Sequence, residues 1–501
     1  MTRWVRDVLV FLPMWVCAVV LSSLFAGTNA RAATDSTTGA EEHIRRVTAG
    51  LLIGDAVDGV YKSGTLQDRM AHYHTPGVSI AVVNDFKLDW ARGFGFQQAD
   101  GKRKITSTTR FQAGSVSKPT FAVAVMRLVE KGQLSLDEDV NAYLTSWKVP
   151  PVGDWHPRVT LRQLFGHSAG FTVHGFPGYD RSQPVPTLVQ VLDGAAPANS
   201  PPVRMDMLPG LQFRYSGGGV SVAEQAVEDR TGRHLPALAR ELIFDRLGMR
   251  RSGYDQPLLD TKDVATGYNY PMANPVHGRW HIYPELAAAG LWTTPSDLST
   301  LGMSLQRALR GDTDQVITPA SAREMVTKQP IRGANVGISF FLDGEGDSVR
   351  FSHDGEDEGF LTDFVMYVQG GRGAVVMVNS TEGWDLIQET MRAIAREYAW
   401  PGYLPLSPQR KDITAEARQH HVGDYVLEDG RKVAVAERAD ALWLTLPDQP
   451  PLQLTASSET SFFIAGLQTK VTFPHTDSGP PILVLDQDGQ SFKATLQTKQ
   501  P

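Results

Sequence analysis

Apolar positions near residue 80 first alternate with polar ones and then run together, a pattern typical of a strand inside a sheet. The segment Gly77–Phe86 follows this pattern, and Asn84-Asp85 supplies turn residues. Leu88–Phe96 then returns as a second strand, so a β-hairpin is predicted. A helix is predicted over Lys118–Lys131, and it is apolar nearly all round, which favours a position in the core of a large domain.

Strand and helix patterns recur further along the chain. Val220–Thr231 is predicted to be helical, and Thr294 followed by Pro295 predicts the start of another helix. The last part of this region predicts three strands and a closing helix: Gly337–Leu342, Phe360–Val368, Gly373–Asn379 and Leu386–Tyr398. A hairpin at the start with strands and a helix at the end indicates an α+β domain, whose sheet is formed by both ends of the segment.

The pattern changes after residues 405–411, which we interpret as a linker. Beyond the linker, short alternating runs are separated by turn residues at even spacing, which is typical of a small antiparallel barrel. We therefore predict a separate β-barrel domain over residues 412–501. Its predicted strands are Lys432–Ala436, Ala441–Leu446, Leu452–Thr455, Ser461–Ile464, Lys470–Phe473, Ile482–Leu485 and Ser491–Leu496.

The first 32 residues have the layout of a secretory signal. Arg3 and Arg6 precede the apolar run Val8–Gly27, and Ala30-Arg31-Ala32 places small residues where a signal peptidase cuts. We predict cleavage and export to the periplasm or the medium. The alternative is a membrane anchor, because the apolar run is nearly long enough to span a bilayer. Residues 33–69 are then an N-terminal extension of the domain that follows.

Composition narrows the classes of function. Among 501 residues, 42% are hydrophobic and 21% are charged, and the formal net charge is -7, which gives no electrostatic footprint for nucleic acid. The single cysteine, Cys17, lies within the predicted signal, so the mature chain is expected to have neither a disulfide nor a thiolate metal site. The acidic cluster Asp137–Asp139 has no histidines at ligand spacing, and His420 and His421 are expected at the surface. We expect no metal, no other cofactor and no stable membrane partner; the oligomeric state stays open.

Ser115 and Lys118 form a candidate nucleophile and base. A serine hydroxyl needs a base at neutral pH, and residues three apart on a helix face the same side. Burial at the head of an apolar helix makes a lysine less basic, and the helix start offers free N–H groups to an oxyanion. A Ser-x-x-Lys string alone also fits a helix cap followed by a solvated lysine.

Two further motifs follow in order. Tyr215 lies in Tyr215-Ser216-Gly217, and His353 opens His353-Asp354-Gly355. With Ser115 and Lys118, their order and spacing resemble the β-lactamase-related serine hydrolases, the group that includes class C β-lactamases, DD-peptidases, D-aminopeptidases and esterases. The stretches Thr160–Gly170 and Gly290–Leu298 also resemble segments of that family. The resemblance implies a β-lactamase/transpeptidase-like domain over residues 70–404, with an antiparallel sheet flanked by helices and a helical subdomain.

The resemblance also implies roles for individual residues. Ser115 is then the residue that becomes acylated, and Lys118 and Tyr215 share the proton transfers, with the general base left open between them. The backbone N–H groups of Ser115 and Glu356, the residue after Gly355, are implied to form the oxyanion hole. His353 is implied to lie beside the acyl or carboxylate end of the substrate.

Two positions depart from the family pattern. Gly217 stands where the tyrosine motif normally ends in Asn, a side chain that would bind the acylamide of an antibiotic. His353 stands where a lysine is usual, and a neutral imidazole holds a carboxylate less strongly than an ammonium does. Both departures point away from a dedicated antibiotic-degrading enzyme.

A competing motif is present at Gly166-His167-Ser168-Ala169-Gly170, which fits the nucleophile elbow Gly-x-Ser-x-Gly. That elbow requires a buried strand before the serine and a packed helix after it. Leu161 and Leu164 instead recur at helical spacing before Ser168, so we expect this segment to be structural.

Together these features predict a serine peptidase or amidase that acts on a small molecule or short peptide with D- or non-standard residues, such as a linearised nonribosomal peptide. A carboxylesterase on small acyl esters, a β-lactamase and a non-catalytic penicillin sensor or scaffold are the alternatives. The C-terminal barrel resembles the lipocalin-like domains of some D-aminopeptidases, and we expect one of its loops to narrow the mouth of the active site.

Overall fold

The structure is a computed structural model. It describes residues 39–57, 60–404, 409–447, 449–464, 469–474, 480–487 and 490–497. The predicted signal peptide and residues 405–408 of the predicted linker lie outside these ranges. Within them, no helix combines the length and apolar character needed to cross a membrane.

The strands fall into two groups, one in the first 378 residues and one at the C-terminal end. In chain order they are β1 Leu51–Val57, β2 Val60–Gly64, β3 Gly77–Asn84, β4 Lys87–Gly95, β5 Phe111–Gln112, β6 Tyr268–Asn269, β7 Asn274–Pro275, β8 Trp292–Thr293, β9 Phe341–Asp343, β10 Arg350–Asp357, β11 Phe360–Tyr367, β12 Gly373–Val378, β13 Gly423–Leu427, β14 Lys432–Arg438, β15 Ala441–Thr445, β16 Leu452–Ala456, β17 Ser461–Ile464, β18 Thr469–Thr472, β19 Ile482–Gln487 and β20 Gln490–Leu496.

The helices occupy the region before the barrel, apart from one short helix at its entrance. They are α1 39–49, α2 Leu66–His72, α3 Ser117–Glu130, α4 Leu161–Phe165, α5 Leu188–Asp193, α6 Gly217–Thr231, α7 Leu235–Ala239, α8 Asp245–Leu247, α9 Leu286–Ala289, α10 Pro295–Arg310, α11 Pro319–Met325, α12 Trp384–Glu397 and α13 Ala415–Gln419. Short 3₁₀ turns cover Gly114–Val116, Val140–Ala142 and Gly346–Ser348, and a π-helical turn covers Arg240–Phe244.

The main sheet is antiparallel and has six strands in the order β4-β3-β12-β11-β10-β9. Its centre joins the two ends of the domain, because Val78 of β3 pairs with Val378 of β12 and Val83 pairs with Gly373. The α+β prediction and the prediction that both ends form the sheet are therefore confirmed.

The central strands are covered on both faces, which explains why their apolar residues run together instead of alternating. Every residue of β11 and β12 is buried. On one face Val78, Ile80 and Val376 pack with Leu386 and Ile394 of α12. The opposite face packs against a larger core that includes α3, α6 and α10. Each fully buried aliphatic side chain of this kind contributes about 1.5–3 kcal/mol relative to an exposed one.

Helix α3 runs through that larger core, as its apolar surface predicts. Eleven of its residues are buried, from Ser117 to Leu128. Gly132 follows the helix with φ 67°, the left-handed conformation that glycine adopts without strain. The 3₁₀ turn Gly114–Val116 precedes the helix, so Ser115 is fixed at the end of a rigid buried element.

Strands β13–β20 form a closed eight-stranded antiparallel barrel, which confirms the predicted C-terminal architecture. Buried and less buried residues alternate along these strands, and the inward side chains include Tyr425, Leu442 and Phe462. The sequence patterns predicted seven of the strands. The missing one, β13, closes the barrel by pairing with both β14 and β20.

Two local predictions were wrong, and one strand of the main sheet was missed. The strand predicted over Gly337–Leu342 begins only at Phe341, because the Gly337 N–H bonds to Phe340 O in a tight reversal and Ser339 has φ 64°. Strand β10 was not predicted, since its residues are mostly polar. His421, expected at the surface with His420, is buried and stacks on Phe473 with ring centroids 4.1 Å apart.

Candidate active site

A cavity of about 620 Å³ opens where helix α3, strand β10, the end of α9 and the loop 174–177 meet. Its described lining includes Ser115, Lys118 and Tyr215. All the lining residues lie between Ser115 and Glu358, so no described barrel residue contributes to the cavity wall. The expected narrowing of the mouth by a barrel loop is not seen among the described residues.

Ser115 and Lys118 lie side by side at the floor of the cavity. Lys118 Nζ donates a hydrogen bond of 2.8 Å to Ser115 Oγ and a second of 2.8 Å to Ala288 O. The bend from the 3₁₀ turn into α3 produces this geometry, and Gly114 permits it with φ 51°. The nucleophile and base proposed from the sequence are therefore in direct contact.

Lys118 is only 2% exposed, and burial lowers the pKa of its amine to about 7. The nearby carboxyl groups of Asp357 and Asp354 oppose the shift by favouring the ammonium. A large fraction of Lys118 is therefore neutral near pH 7 and able to accept a proton.

Tyr215 lies above this pair. Its hydroxyl lies beside the Ser115 side chain, and its ring centroid is 5.0 Å from Lys118 Nζ. Burial raises the pKa of the phenol, so Tyr215 stays protonated near neutral pH. The rings of His167 and His174 lie 4.3 Å and 4.8 Å from the Tyr215 ring and fix its orientation.

The predicted oxyanion donors lie on two backbones in close contact. A Cβ atom built on Gly355 would lie 2.0 Å from Ala113 O and 3.0 Å from the Ser115 nitrogen. A Cβ atom on Gly114 would lie 2.4 Å from the Glu356 nitrogen. Only glycine at these two positions allows β10 to come this near to the turn Gly114–Val116, which we call the nucleophile turn. This close approach brings the Glu356 N–H beside Ser115.

His353 lies behind the cavity wall and is not among its described lining residues. Its Nδ1 lies 2.6 Å from Asp354 O, and its ring packs 5.3 Å from Phe341 and 6.1 Å from Tyr215. Burial lowers the pKa of His353 to about 4, so the imidazole is neutral at pH 7. The position implied to hold an anionic substrate group therefore carries no positive charge there.

Gly217 begins helix α6 and is also absent from the described lining. Its N–H donates to His174 O at 2.9 Å. A Cβ atom on Gly217 would lie 3.0 Å from His174 O and 3.2 Å from the Phe176 ring. The loop that carries His174 and Phe176 thus fills the space of a side chain at position 217, and it forms cavity wall that the sequence motifs did not indicate.

Ser168 does not have the geometry of a nucleophile elbow. The element before it is helix α4, not a strand. Ser168 is 2% exposed and lies outside the described cavity lining. The structural role expected for its segment is visible in its neighbour His167, whose Nδ1 accepts a hydrogen bond of 3.2 Å from the Ser216 N–H.

Sequence reasoning missed two buried carboxyl groups near the site. Asp357 is 3% exposed and Glu285 is fully buried, and no carboxyl oxygen of either has a hydrogen-bond partner among the described residues. Burial raises the pKa of both, for Glu285 to about 8. The acidic residues after Gly355 were visible in the sequence. Which of their side chains is buried depends on the position of each residue along β10.

No group of three or more histidine, cysteine, aspartate or glutamate side chains within the described ranges is arranged to hold a metal ion. The reactive groups that meet at the cavity among the described residues are a serine, a lysine, a tyrosine and backbone N–H groups. A serine in the turn before a buried helix, beside a lysine three residues later and facing an antiparallel strand, is the arrangement of a serine hydrolase of the β-lactamase/transpeptidase type.

Comparison with known proteins agrees with this class. The sequence model of the family described as Beta-lactamase matches residues 63–396. The chain belongs to the β-lactamase family, whose members include penicillin-binding proteins, amidases and carboxypeptidases that act as serine hydrolases.

Three relatives illustrate the range of this similarity. A penicillin-binding protein of Bacillus subtilis (strain 168) is 22% identical over 87% of this chain and 98% of its own. The octameric penicillin-binding protein homologue from Pyrococcus abyssi has 22% identity and a TM-score of 0.59, covering 86% of this chain and 98% of its own. The D-amino acid amidase of Ochrobactrum anthropi SV3, complexed with L-phenylalanine amide, has 19% identity and a TM-score of 0.53, covering 67% and 96%.

Proposed function

We propose that this chain is an exported serine peptidase or amidase that hydrolyses amide bonds of short peptides with D- or non-standard residues through an acyl-enzyme at Ser115. The observation that carries the proposal is the 2.8 Å contact between Ser115 Oγ and Lys118 Nζ at the floor of an open cavity. Burial keeps much of that amine neutral near pH 7, which is the form that a general base requires.

The first half of the reaction forms the acyl-enzyme. Ser115 Oγ attacks the substrate carbonyl carbon while its proton passes to neutral Lys118. The oxyanion receives hydrogen bonds from the N–H groups of Ser115 and Glu356. When the C–N bond breaks, the proton passes from Lys118 to the leaving amine, with the protonated Tyr215 hydroxyl as the relay beside Ser115.

The second half repeats the same steps with water. Lys118, neutral again, takes a proton from a water molecule that attacks the acyl carbon. The Ser115–acyl bond breaks, Ser115 Oγ regains a proton, and the carboxylic acid product leaves. No group beyond the described side chains and water is needed to balance either half.

Several features support a small amide substrate. The cavity of about 620 Å³ falls within the usual size of small-ligand sites. His353 is neutral, and the loop at Phe176 occupies the space beside Gly217, so the two family positions used for acidic antibiotics are altered. A structural relative is a D-amino acid amidase, as its name states.

A carboxylesterase is the second candidate, and the aromatic lining of the cavity favours it. Phe176, Phe213 and Phe341 form apolar wall that suits a small acyl chain. Esters also need less leaving-group protonation than amides, so the same machinery would cleave them.

Labelling with a fluorophosphonate tests the nucleophile. We expect the wild type and Ser168→Ala to be labelled and Ser115→Ala to remain unlabelled. Labelling of Ser115→Ala together with loss of labelling in Ser168→Ala would overturn the assignment. Rates with D-alanyl p-nitroanilide, p-nitrophenyl butyrate and a chromogenic cephalosporin then separate peptidase, esterase and β-lactamase; a profile confined to esters would contradict the peptide preference.

Export is supported by the composition of residues 1–32. We expect the protein recovered from the periplasm or the medium of the producing cell to begin near residue 33. Mass spectrometry of its N-terminus checks this, and an intact N-terminus in the membrane fraction would favour the anchor.

A further inference from the structure

Helix α9 forms part of the cavity wall and contacts the proposed general base. Ala288 lines the cavity, and its carbonyl oxygen accepts a hydrogen bond of 2.8 Å from Lys118 Nζ. Just after the helix, the Leu291 N–H donates to Ser117 Oγ at 3.0 Å, and Leu291 O accepts from the Ala113 N–H at 2.9 Å. Because Ala113 and Ser117 flank the nucleophile turn, the α9 segment is bonded to the turn on both sides and to the lysine.

The bond to Ala288 orients the amine of Lys118. A neutral amine has two N–H bonds and one lone pair. When one N–H points at Ala288 O, the lone pair can face Ser115 Oγ, which lies 2.8 Å away, and accept its proton. If Ala288 O moved away, the amine would rotate and its lone pair would face Ser115 for only part of the time. The position of α9 therefore controls how well the base is aimed.

Helix α9 cannot fix this position with its own side chains. It has four residues, Leu286–Ala289, and none of their side chains carries a hydrogen-bonding group. The carboxyl group of Glu285, the residue before the helix, makes no capping hydrogen bond. Only the Glu285 carbonyl accepts, from the third and fourth N–H groups of the helix, at 3.1 Å and 2.9 Å. The first two N–H groups need an acceptor from elsewhere.

Glu224 of helix α6 supplies that acceptor. Its Oε2 accepts a hydrogen bond of 2.8 Å from the Ala287 N–H, and the Leu286 N–H faces the same carboxyl group. Glu224 is 1% exposed, and burial raises the pKa of its carboxyl group well above the ordinary value. A buried carboxyl group and a buried N–H are each costly when unpaired, so their pairing stabilises this arrangement.

Side-chain packing around α9 is incomplete on the side of Leu286. A second cavity of about 520 Å³ opens there, and its described lining includes Glu224 and Leu286. Close packing normally fixes a buried helix. Because a cavity adjoins α9 here, the hydrogen bonds to Glu224 have a larger share in holding the helix in place.

We infer that Glu224 is a positioning residue for the reaction: it holds α9 where Ala288 O aims the Lys118 amine at Ser115. The inference rests on the proposed function, because Lys118 is the proposed general base. Glu224 acts through the helix and does not line the active-site cavity. None of the sequence motifs indicated it.

Two substitutions of similar size separate the hydrogen-bond acceptor from the rest of the side chain. Glu224→Met fills the same space without an acceptor, and we expect its kcat for p-nitrophenyl butyrate and its fluorophosphonate labelling rate to fall about tenfold or more. Glu224→Gln keeps an oxygen that can accept from the Ala287 N–H. It should restore both rates to at least about fivefold above those of Glu224→Met.

The pH–rate profile gives a readout that a merely structural role would not change. Loss of the Ala288 O acceptor disfavours the ammonium form of Lys118, so the midpoint should move to lower pH in Glu224→Met and stay near the wild-type value in Glu224→Gln. The other titratable side chains that act on Lys118 are unchanged in both variants, and they include Asp354, Asp357, His167 and His353.

Glu228→Met is the matched control. Glu228 lies one turn further along α6, and its Oε1 accepts a hydrogen bond of 2.7 Å from the Leu235 N–H at the start of helix α7. The substitution therefore also removes an acceptor for a helix N–H, but it leaves α9 in place. It should lower the melting temperature without changing the labelling rate or the pH midpoint.

Thermal melts show which variants are folded. If Glu224→Met does not fold, Glu224→Asp, which withdraws the carboxyl group by one methylene, is measured instead and should show the same slowing. A folded Glu224→Met or Glu224→Asp that labels at the wild-type rate, or a Glu224→Gln as slow as Glu224→Met, overturns the inference. Failure of the proposed function is seen separately, as absence of labelling at Ser115 in the wild type.

Discussion

Lys118 is a candidate catalytic residue whose acid–base chemistry is changed by the fold. Its folded pKa of about 7 lies below the ordinary lysine value because burial disfavours the ammonium, even with Asp354 and Asp357 nearby. The amine is therefore protonated and inactive as a base below pH 7, and neutral above it.

We expect kcat/KM for a neutral ester such as p-nitrophenyl butyrate to rise with pH through a midpoint near 7 and then level off. Lys118→Arg, which keeps the charge permanently, should lower the rate about 100-fold or more at every pH. A pH–rate profile measures both. A wild-type rate that stays constant between pH 5 and pH 9 would contradict Lys118 as the base.

Glu285 predicts a pH dependence of stability. Its folded pKa is raised to about 8 by burial, so its stabilising contribution is fully present below the unfolded value near 4.5 and is lost as the pH rises through 8. The melting temperature should therefore fall between pH 6 and pH 9 by about 2–4 °C for each kcal/mol of this loss.

In Glu285→Gln that decline should be smaller, because the buried amide does not ionise. Glu138→Gln, which changes an exposed carboxyl group of the same domain, is the matched control and should follow the wild type. Thermal melts over the pH range provide the measurement. Parallel curves for the wild type and Glu285→Gln would show that Glu285 is not the group responsible.

Individual reactive residues were more predictable than their surroundings. Ser115, Lys118 and Tyr215 could be proposed from motif order, and the structure brings them together. The catalytic roles of these three residues are predictions, which fluorophosphonate labelling and the pH–rate profile test. Asp357 and Glu285 were missed because a carboxyl group in a sequence gives no sign of being buried without a partner; that depends on which elements pack against it.

At the scale of elements, the contact between β10 and the nucleophile turn leaves the least space for a side chain. A methyl group at Gly355 would lie 2.0 Å from Ala113 O, so the two backbones would have to separate. We expect Gly355→Ala to lower the fluorophosphonate labelling rate about 100-fold or more, since an oxyanion donor moves out of place.

The melting temperature separates a local effect from unfolding in this variant. Gly39→Ala changes a glycine that, like Gly355, has no positive φ, but no atom lies within 4 Å of its Cβ position, so it adds a methyl group without the clash. It should fold and label like the wild type. Normal labelling of Gly355→Ala would contradict the close approach described here.

The elements that the sequence did not reveal share one property. Their apolar patterns are short or interrupted: β10 is mostly polar and pairs along all eight of its residues with β11, and β13 has five residues that pair with β14 and β20. Hairpin β3–β4 and helix α3 were predictable because their apolar patterns reflect burial directly. A mostly polar strand beside a cavity, such as β10, carries no such pattern.

At the scale of the whole molecule, the order of strands and helices along the chain was enough to predict an α+β domain followed by a β-barrel. The domain boundaries at 33–69, 70–404 and 412–501 stay predictions, with the family match spanning residues 63–396. The hydrophobic cores of the barrel and of the hydrolase region are made of separate sets of residues.

Removal of the barrel tests whether the hydrolase region folds and reacts independently of it. Since no described barrel residue lines the cavity, a chain ending after Leu404 should stay folded, label at Ser115 and keep kcat/KM for p-nitrophenyl butyrate within about twofold. Far-UV circular dichroism and the kinetic assay measure these properties. A change in the preference between anilide and ester substrates, with the fold intact, would instead support the gating role expected for a barrel loop.

The pairing of β3 with β12 also governs when the protein becomes folded. Val78 and Val378 are about 300 residues apart, so the centre of the sheet closes a very long loop and folding is expected to be slow. A ribosome that has synthesised the first two thirds of the chain has released β3 without its partner. The central sheet therefore cannot close until about three quarters of the chain has been synthesised, and a chain whose sheet is still open is the form that a translocase threads across a membrane.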